Sequence, residues 1–201
     1  MGHGEEIFVR CKRWRICPGC ARWKGWTLKQ RFIAGIENVP AGKLAMFFTL
    51  TFPLDKAPTE DGAQQAWRSL VGRLRYRDYL GVVGYTKERQ KNGTLHYHGI
   101  AHLPWFDDGL AEWRELIIKS GFGQINRLEI AQKTSAGYCA KYIAKGLAEV
   151  APLRRAYGFS ADFPRARALV ERETLAEQLG VKLDSDCEWT ATYLLSRHLG
   201  S

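Results

Sequence analysis

Two short β-forming runs joined by a three-residue turn constrain this chain more than any other stretch. Val82-Val83-Gly84-Tyr85-Thr86-Lys87-Glu88 and Thr94-Leu95-His96-Tyr97-His98-Gly99-Ile100 flank Lys91-Asn92-Gly93, where Gly supplies the positive φ that such a hairpin loop demands. Loop length sets register: with Gln90 paired to Thr94, Glu88 lies opposite His96 and Thr86 opposite His98. Side chains alternate along a strand, so His96 and His98 share a face, roughly 7 Å apart along the backbone. One carboxylate and two imidazoles then converge on one surface, a donor set suited to a divalent cation. A one-residue slip would turn Glu88 to the other face.

The flanking segments read as a sheet with helices. Lys43 to Phe52, rich in aromatic and β-branched residues, forms a strand that stops at Pro53, with Thr49 and Thr51 on one face. Residues 60–79 show helical spacing through Trp67, Leu70, Leu74 and Tyr76. A second helix runs through Leu110, Trp113, Leu116 and Ile117, capped by Asp107 or Asp108 and closed by Gly121, and residues 123–130 alternate as a strand. Strand, helix, strand, strand, helix, strand predicts an α+β fold: an antiparallel sheet of ferredoxin-like or RRM-like topology, helices on one face and the site on the open face. Thr134 or Ser135 then caps a short helix over residues 136–145, which Gly146 ends; Tyr138 and Tyr142 share one side of it, Lys141 and Lys145 a neighbouring one. The expected division is a basic cysteine-rich arm with a linker helix (1–40), a core (41–149), and a C-terminal extension of two helices without a chemical motif (150–201). The linker helix covers residues 22–37, its turns marked by Trp26, Gln30, Ile33 and Glu37.

The arm interleaves basic and aromatic residues, among them Arg13, Trp14, Arg15, Arg22 and Lys24, a pattern that tracks phosphates and stacks bases. With Lys145 on the tyrosine helix, these are the expected DNA contacts. Net charge is +9 over 201 residues, which favours a polyanionic partner. Cys11, Cys17 and Cys20 offer three of the four ligands of a structural Zn²⁺; His3 and the distant Cys139 and Cys187 compete for the fourth place, and a basic arm with incidental thiols is the other reading. The chain holds no apolar run of the eighteen or so residues that span a bilayer and does not begin with a basic-then-apolar leader, so the expected location is the cytoplasm. Ala41-Gly42-Lys43-Leu44 lacks the hydroxyl after Lys that a nucleotide-binding loop needs.

A cation on a sheet face, a helix presenting tyrosines and a basic surround together fit phosphoryl transfer by a covalent route. A mixed carboxylate and imidazole set suits Mn²⁺ or Mg²⁺, with Zn²⁺ as a substitute. Three motifs then resemble those of the HUH endonucleases, in particular rolling-circle replication initiators of single-stranded DNA phages and plasmids. They are Phe48-Thr49-Leu50-Thr51-Phe52-Pro53, Glu88 with His96-Tyr97-His98, and Tyr138-Cys139-Ala140-Lys141-Tyr142. The cysteine-rich arm is similar to that of some such initiators, though a cluster of three cysteines departs from a complete ligand set.

The resemblance implies nicking of one strand of single-stranded origin DNA, with or without a hairpin, through a 5′-phosphotyrosine intermediate, releasing a 3′-hydroxyl that primes synthesis. It implies Glu88, His96 and His98 as metal ligands, Tyr138 as first nucleophile with Tyr142 alternating, Lys141 as their cationic neighbour, and a host or viral helicase and polymerase as partners. A single-tyrosine HUH transposase is one rival reading; a non-catalytic RRM-like binding module, with aromatics on the open face for base stacking, is the other.

Overall fold

A computed structural model describes residues 18–53, 58–90, 92–124, 126–145 and 156–166. Helix α1 (Pro18–Glu37) precedes β1 (Leu44–Thr51), α2 (Glu60–Tyr76), β2 (Val83–Arg89) and β3 (Leu95–Leu103); α3 (Ala111–Lys119), β4 (Asn126–Ile130), α4 (Lys133–Lys145) and β5 (Tyr157–Phe159) follow. The strands form one antiparallel sheet in the order β4-β1-β3-β2-β5. Its first four strands have the expected ferredoxin-like arrangement, and the chain is α+β.

Alternation assigns each strand residue to a layer. Met46, Phe48 and Leu50 of β1, Val83 and Tyr85 of β2, and Leu95, Tyr97, Ala101 and Leu103 of β3 pack under Trp67, Leu70 and Leu74 of α2 and Trp113, Leu116 and Ile117 of α3. Trp67 stacks on Tyr97 with ring centroids 5.3 Å apart and planes at 10°. Gly99 makes this packing feasible, since a Cβ there would collide with the Gly84 carbonyl oxygen and the Phe48 ring. Helix α2 starts where the Thr59 hydroxyl accepts the Gly62 N–H (3.2 Å). Near the start of α3 the Asp108 carboxylate accepts the Glu112 N–H (2.7 Å).

Helices α2 and α3 occupy the layer where helices were expected. The opposite face is not wholly open, because α1 and α4 pack there. Leu28 and Phe32 of α1 meet Ala136, Cys139 and Ala140 of α4 over Phe47, Ile100 and Phe163. Helix α1 begins at Pro18, four residues before the expected start, and its buried stripe is Ala21, Gly25, Leu28, Phe32 and Gly35. The turn markers read from the sequence miss that stripe: Trp26 and Glu37 are exposed. Rather than serving as a linker, α1 is tied to the sheet by His102, whose Nε2–H donates to the Gly35 carbonyl (2.6 Å), one of the carbonyls a helix end leaves without an intrahelical partner.

Further differences are local. Tyr76, expected on the buried stripe of α2, is 93 % exposed. Helix α4 begins at Lys133, and the Ser135 hydroxyl accepts the Gln132 N–H (3.1 Å) rather than capping from outside. Strand β5 adds a fifth strand beyond residue 149, pairing Gly84, Tyr85 and Thr86 with Phe159, Gly158 and Tyr157. The two expected C-terminal helices fall outside the described residues. Among the described residues no helix is long and apolar enough to cross a membrane.

Two glycines should respond oppositely to one added methyl group. Gly72 is exposed on α2 with nothing within 4 Å of a built Cβ, so Gly72→Ala should raise stability by about 0.5–1 kcal/mol. Gly99→Ala should lower it by about 1–3 kcal/mol through overpacking against backbone that cannot yield. Urea denaturation of both variants checks the pair.

Candidate metal and tyrosine site

The hairpin turn behaves as its length dictates. Gln90 N–H donates to the Thr94 carbonyl (2.9 Å) and Gly93 N–H to the Gln90 carbonyl (2.9 Å), with Gly93 at φ 85°. Glu88 therefore pairs with His96 and Thr86 with His98. On its other side β3 pairs with β1, which sets Thr51 against His96 and Thr49 against His98. The face opposite α2 thus carries Glu88, His96 and Thr51 in one row, and Thr86, His98 and Thr49 in the next.

His98 is buried, 2 % exposed. Its Nε2 lies 3.3 Å from Glu88 Oε2 and its Nδ1 3.0 Å from Thr49 Oγ1. A hydroxyl both donates and accepts, so Thr49 can hold the ring in either tautomer. With Thr49 donating to Nδ1, the proton sits on Nε2 and points at Glu88. With Nδ1–H donating to Thr49, the Nε2 lone pair faces the carboxylate and could bind a cation in that proton's place. His96 lies beside it, ring centroids 6.0 Å apart, with Gln90 Nε2 at 3.2 Å from its Nδ1. The donors and their outer hydrogen bonds fit a divalent ion, although among the described residues no three such side chains are already drawn into a closed ligand group.

Tyr138 reaches this surface from α4. Its ring stands edge-on to His98 (centroids 5.1 Å, planes at 85°) and to Phe47 (5.7 Å, 86°), yet the residue remains 41 % exposed. The helix is held in place by the Thr86 hydroxyl, which donates to the Cys139 carbonyl (2.9 Å), and by Lys133 Nζ, 2.7 Å from Glu37 of α1. Cys139 turns inward, and burial pushes its thiol far above the ordinary value. Lys141 is exposed one turn from Tyr138. Tyr142 and Lys145 belong to α4, but their side chains, like that of Arg22, are outside the described residues.

The arm is largely outside them too: Cys11, Arg13, Trp14, Arg15 and Cys17 are not described, whereas Cys20 is buried on α1. Lys24 lies over the Tyr157 ring of β5 (5.0 Å), and Trp23 stacks on Trp26 (4.6 Å). Sequence reasoning placed Thr49 on a polar face but not against His98, because no tight turn links β1 to β3 and so no loop length reveals their register. Arg127, opposite Thr49 on β4, was missed for the same reason.

Burial holds the His96 imidazole below its ordinary value; repulsion from His98 adds to this and Glu88 opposes it. The unfolded chain then binds more protons at this position, so the stabilisation is complete above about pH 6.5 and is lost as pH falls through the lowered folded value. The urea midpoint should therefore drop more between pH 7.5 and 5 for the native chain than for His96→Gln, and the His96 ring signals in NMR should titrate below about 6.5.

A sequence-family model, "Replication-associated protein ORF2/G2P", matches residues 45–147, a span that runs from β1 through α4 and contains the hairpin, Thr49 and Tyr138. No curated protein and no solved structure matches the chain. The matched span covers half of the sequence, with Thr49, Glu88, His96, His98 and Tyr138 inside it, and the chain belongs to the replication-associated protein ORF2/G2P family.

Proposed function

We propose that the protein nicks and rejoins one DNA strand at a replication origin as an HUH endonuclease, with Tyr138 as nucleophile and Glu88, His96 and His98 as ligands of a divalent cation. The observation that carries this reading is the edge-on contact of Tyr138 with His98 at 5.1 Å, next to the His98–Glu88 pair at 3.3 Å. A phenol and the three candidate ligands meet on one partly exposed surface.

When bound, Mn²⁺ or Mg²⁺ would offset negative charge on the scissile phosphate. The protein's own groups do the rest. The Tyr138 oxygen forms a bond to phosphorus as the bond from phosphorus to the 3′-oxygen breaks; the phenol loses its proton and the departing oxygen ends as a 3′-hydroxyl. Lys141, exposed one turn away on α4, would neutralise phosphate charge. The 5′ end remains as a tyrosyl phosphodiester, and attack by a 3′-hydroxyl reverses the step. Tyr142, the second tyrosine of the motif, would serve a second transfer, and replicative helicase and polymerase would act on the released end.

The RRM-like alternative needs aromatics on the exposed sheet face. Phe48, Phe52 and Tyr97 are instead buried in the layer under α2 and α3, while Thr49, Thr51, His96 and His98 occupy the other face.

Incubation with labelled single-stranded origin DNA and Mn²⁺ should yield a protein–DNA adduct on a denaturing gel. Tyr138→Phe and His96→Ala should each remove most of it, and Tyr138→Phe with Tyr142→Phe all of it; an undiminished adduct in the double variant would overturn the mechanism. Thr49→Val should weaken Mn²⁺ binding by about 10–100-fold, as loss of an outer partner of a ligating histidine does, and Thr49→Ser should restore it. Isothermal titration with Mn²⁺ reads this without any cleavage.

A further inference from the structure

On the far side of the sheet from Tyr138, a groove of about 350 Å³ runs between α2 and β5. Its floor is Val83 and Tyr85, its far wall Gly158 and Ser160, and its near rim Arg68 and Arg75. Gly158 keeps the floor low, because a Cβ there would strike the Tyr85 ring, and Gly72 leaves the rim open between the two arginines. Seven residues apart on a helix, Arg68 and Arg75 share a face with about 10 Å between them along the axis.

The charges around the groove are not equivalent. Among the described residues Arg77 pairs with Glu112 (3.3 Å) and Arg89 with Glu60 (4.0 Å), while Arg73 Nε donates to the Ser69 hydroxyl (3.4 Å). Arg68 and Arg75 are exposed and have no carboxylate partner among those residues. Two guanidinium groups on one rim, neither with a carboxylate partner among the described residues, suit an extended polyanion, and their separation spans about three nucleotide steps at about 3.4 Å of rise per strand. Base stacking is not on offer here, since Trp67 is buried beneath the helix.

We propose that this groove is a second DNA contact, gripping the phosphodiester backbone of the same DNA whose scissile phosphate lies on the opposite face of the sheet. The proposal rests on the reading of the chain as a DNA nickase and adds where the strand beyond the nick is held. The source of the phosphates, single strand or duplex flank, is read by two probes.

Fluorescence anisotropy between 50 and 200 mM salt, on single-stranded and duplex oligonucleotides, tests it in a background that carries both Tyr138→Phe and Tyr142→Phe. Binding is then read without cleavage, whether or not the native chain forms an adduct. Removal of both contacts by Arg68→Ala with Arg75→Ala should flatten the plot of log affinity against log salt by about 1.4 on single strands or about 1.8 on duplex. The control Arg73→Ala with Arg114→Ala removes equal charge away from the groove and should leave the slope in place. Gly72→Glu, which sets a carboxylate at the rim without touching either arginine, should weaken binding of the same probe. An unchanged slope on both probes, an equal fall in the control, or full affinity in Gly72→Glu would each overturn the proposal.

Discussion

The site depends on a backbone constraint rather than on any one side chain: the joint register of β2, β3 and β1. His98 stands between Thr86 and Thr49 on neighbouring strands, and His96 between Glu88 and Thr51. Because side chains alternate with period two, a shift of one residue in either pairing would send Glu88 or Thr49 to the layer under α2. The turn at Gly93 sets the first pairing. The second has no such local device and is held by packing, with Phe48 filling the space above Gly99 and Thr49 bonded to His98.

The same alternation gives the sheet two unlike faces. Under α2 and α3 it is apolar and aromatic, and its stability comes from buried area. Under α1 and α4 the apolar cluster ends at Phe47 and Ile100, and the next rows are threonine, histidine and glutamate. Helix α4 sits where the two zones meet. Its Ala136, Cys139 and Ala140 bury against the apolar part, and this leaves Tyr138, one residue before Cys139, over His98. Packing of the inner side of α4 thus aims its outer side.

Legibility followed how local each cause was. The β2–β3 register could be read because loop length and one glycine decide it within ten residues. The order of strands and the α2 and α3 layer could be read because Trp67, Leu70, Trp113 and Leu116 repeat at helical spacing. The role of α1 could not, since its buried stripe includes Gly25 and Gly35, which carry no apolar signal; at Gly35 the Phe163 ring approaches closely. Strand β5 is three residues long, Tyr157-Gly158-Phe159, too short for alternation to register. The partner of His98 on β1 was hidden because it is 49 residues away in the chain.

On the proposed reading, with Tyr138 on a helix as nucleophile and the ligands on strands, the arrangement would have a physical consequence for a reaction that must run in both directions. Swapping a phosphodiester to DNA for one to tyrosine keeps the energy of the bond available for resealing, so the free energy of the step stays near balance and retention of the DNA ends governs its outcome. The tyrosyl end would be retained covalently and the 3′ end only by contacts. Tyr138, set edge-on to His98 and to Phe47 on a helix that accepts a hydrogen bond from Thr86, would lower the entropy to be lost when the 3′-hydroxyl returns. Salt-sensitive grip elsewhere on the sheet would then regulate how often it returns, independently of the chemistry. Division of labour between a reacting surface on one face of the sheet and an electrostatic contact at α2, over the other, would then follow from the fold itself.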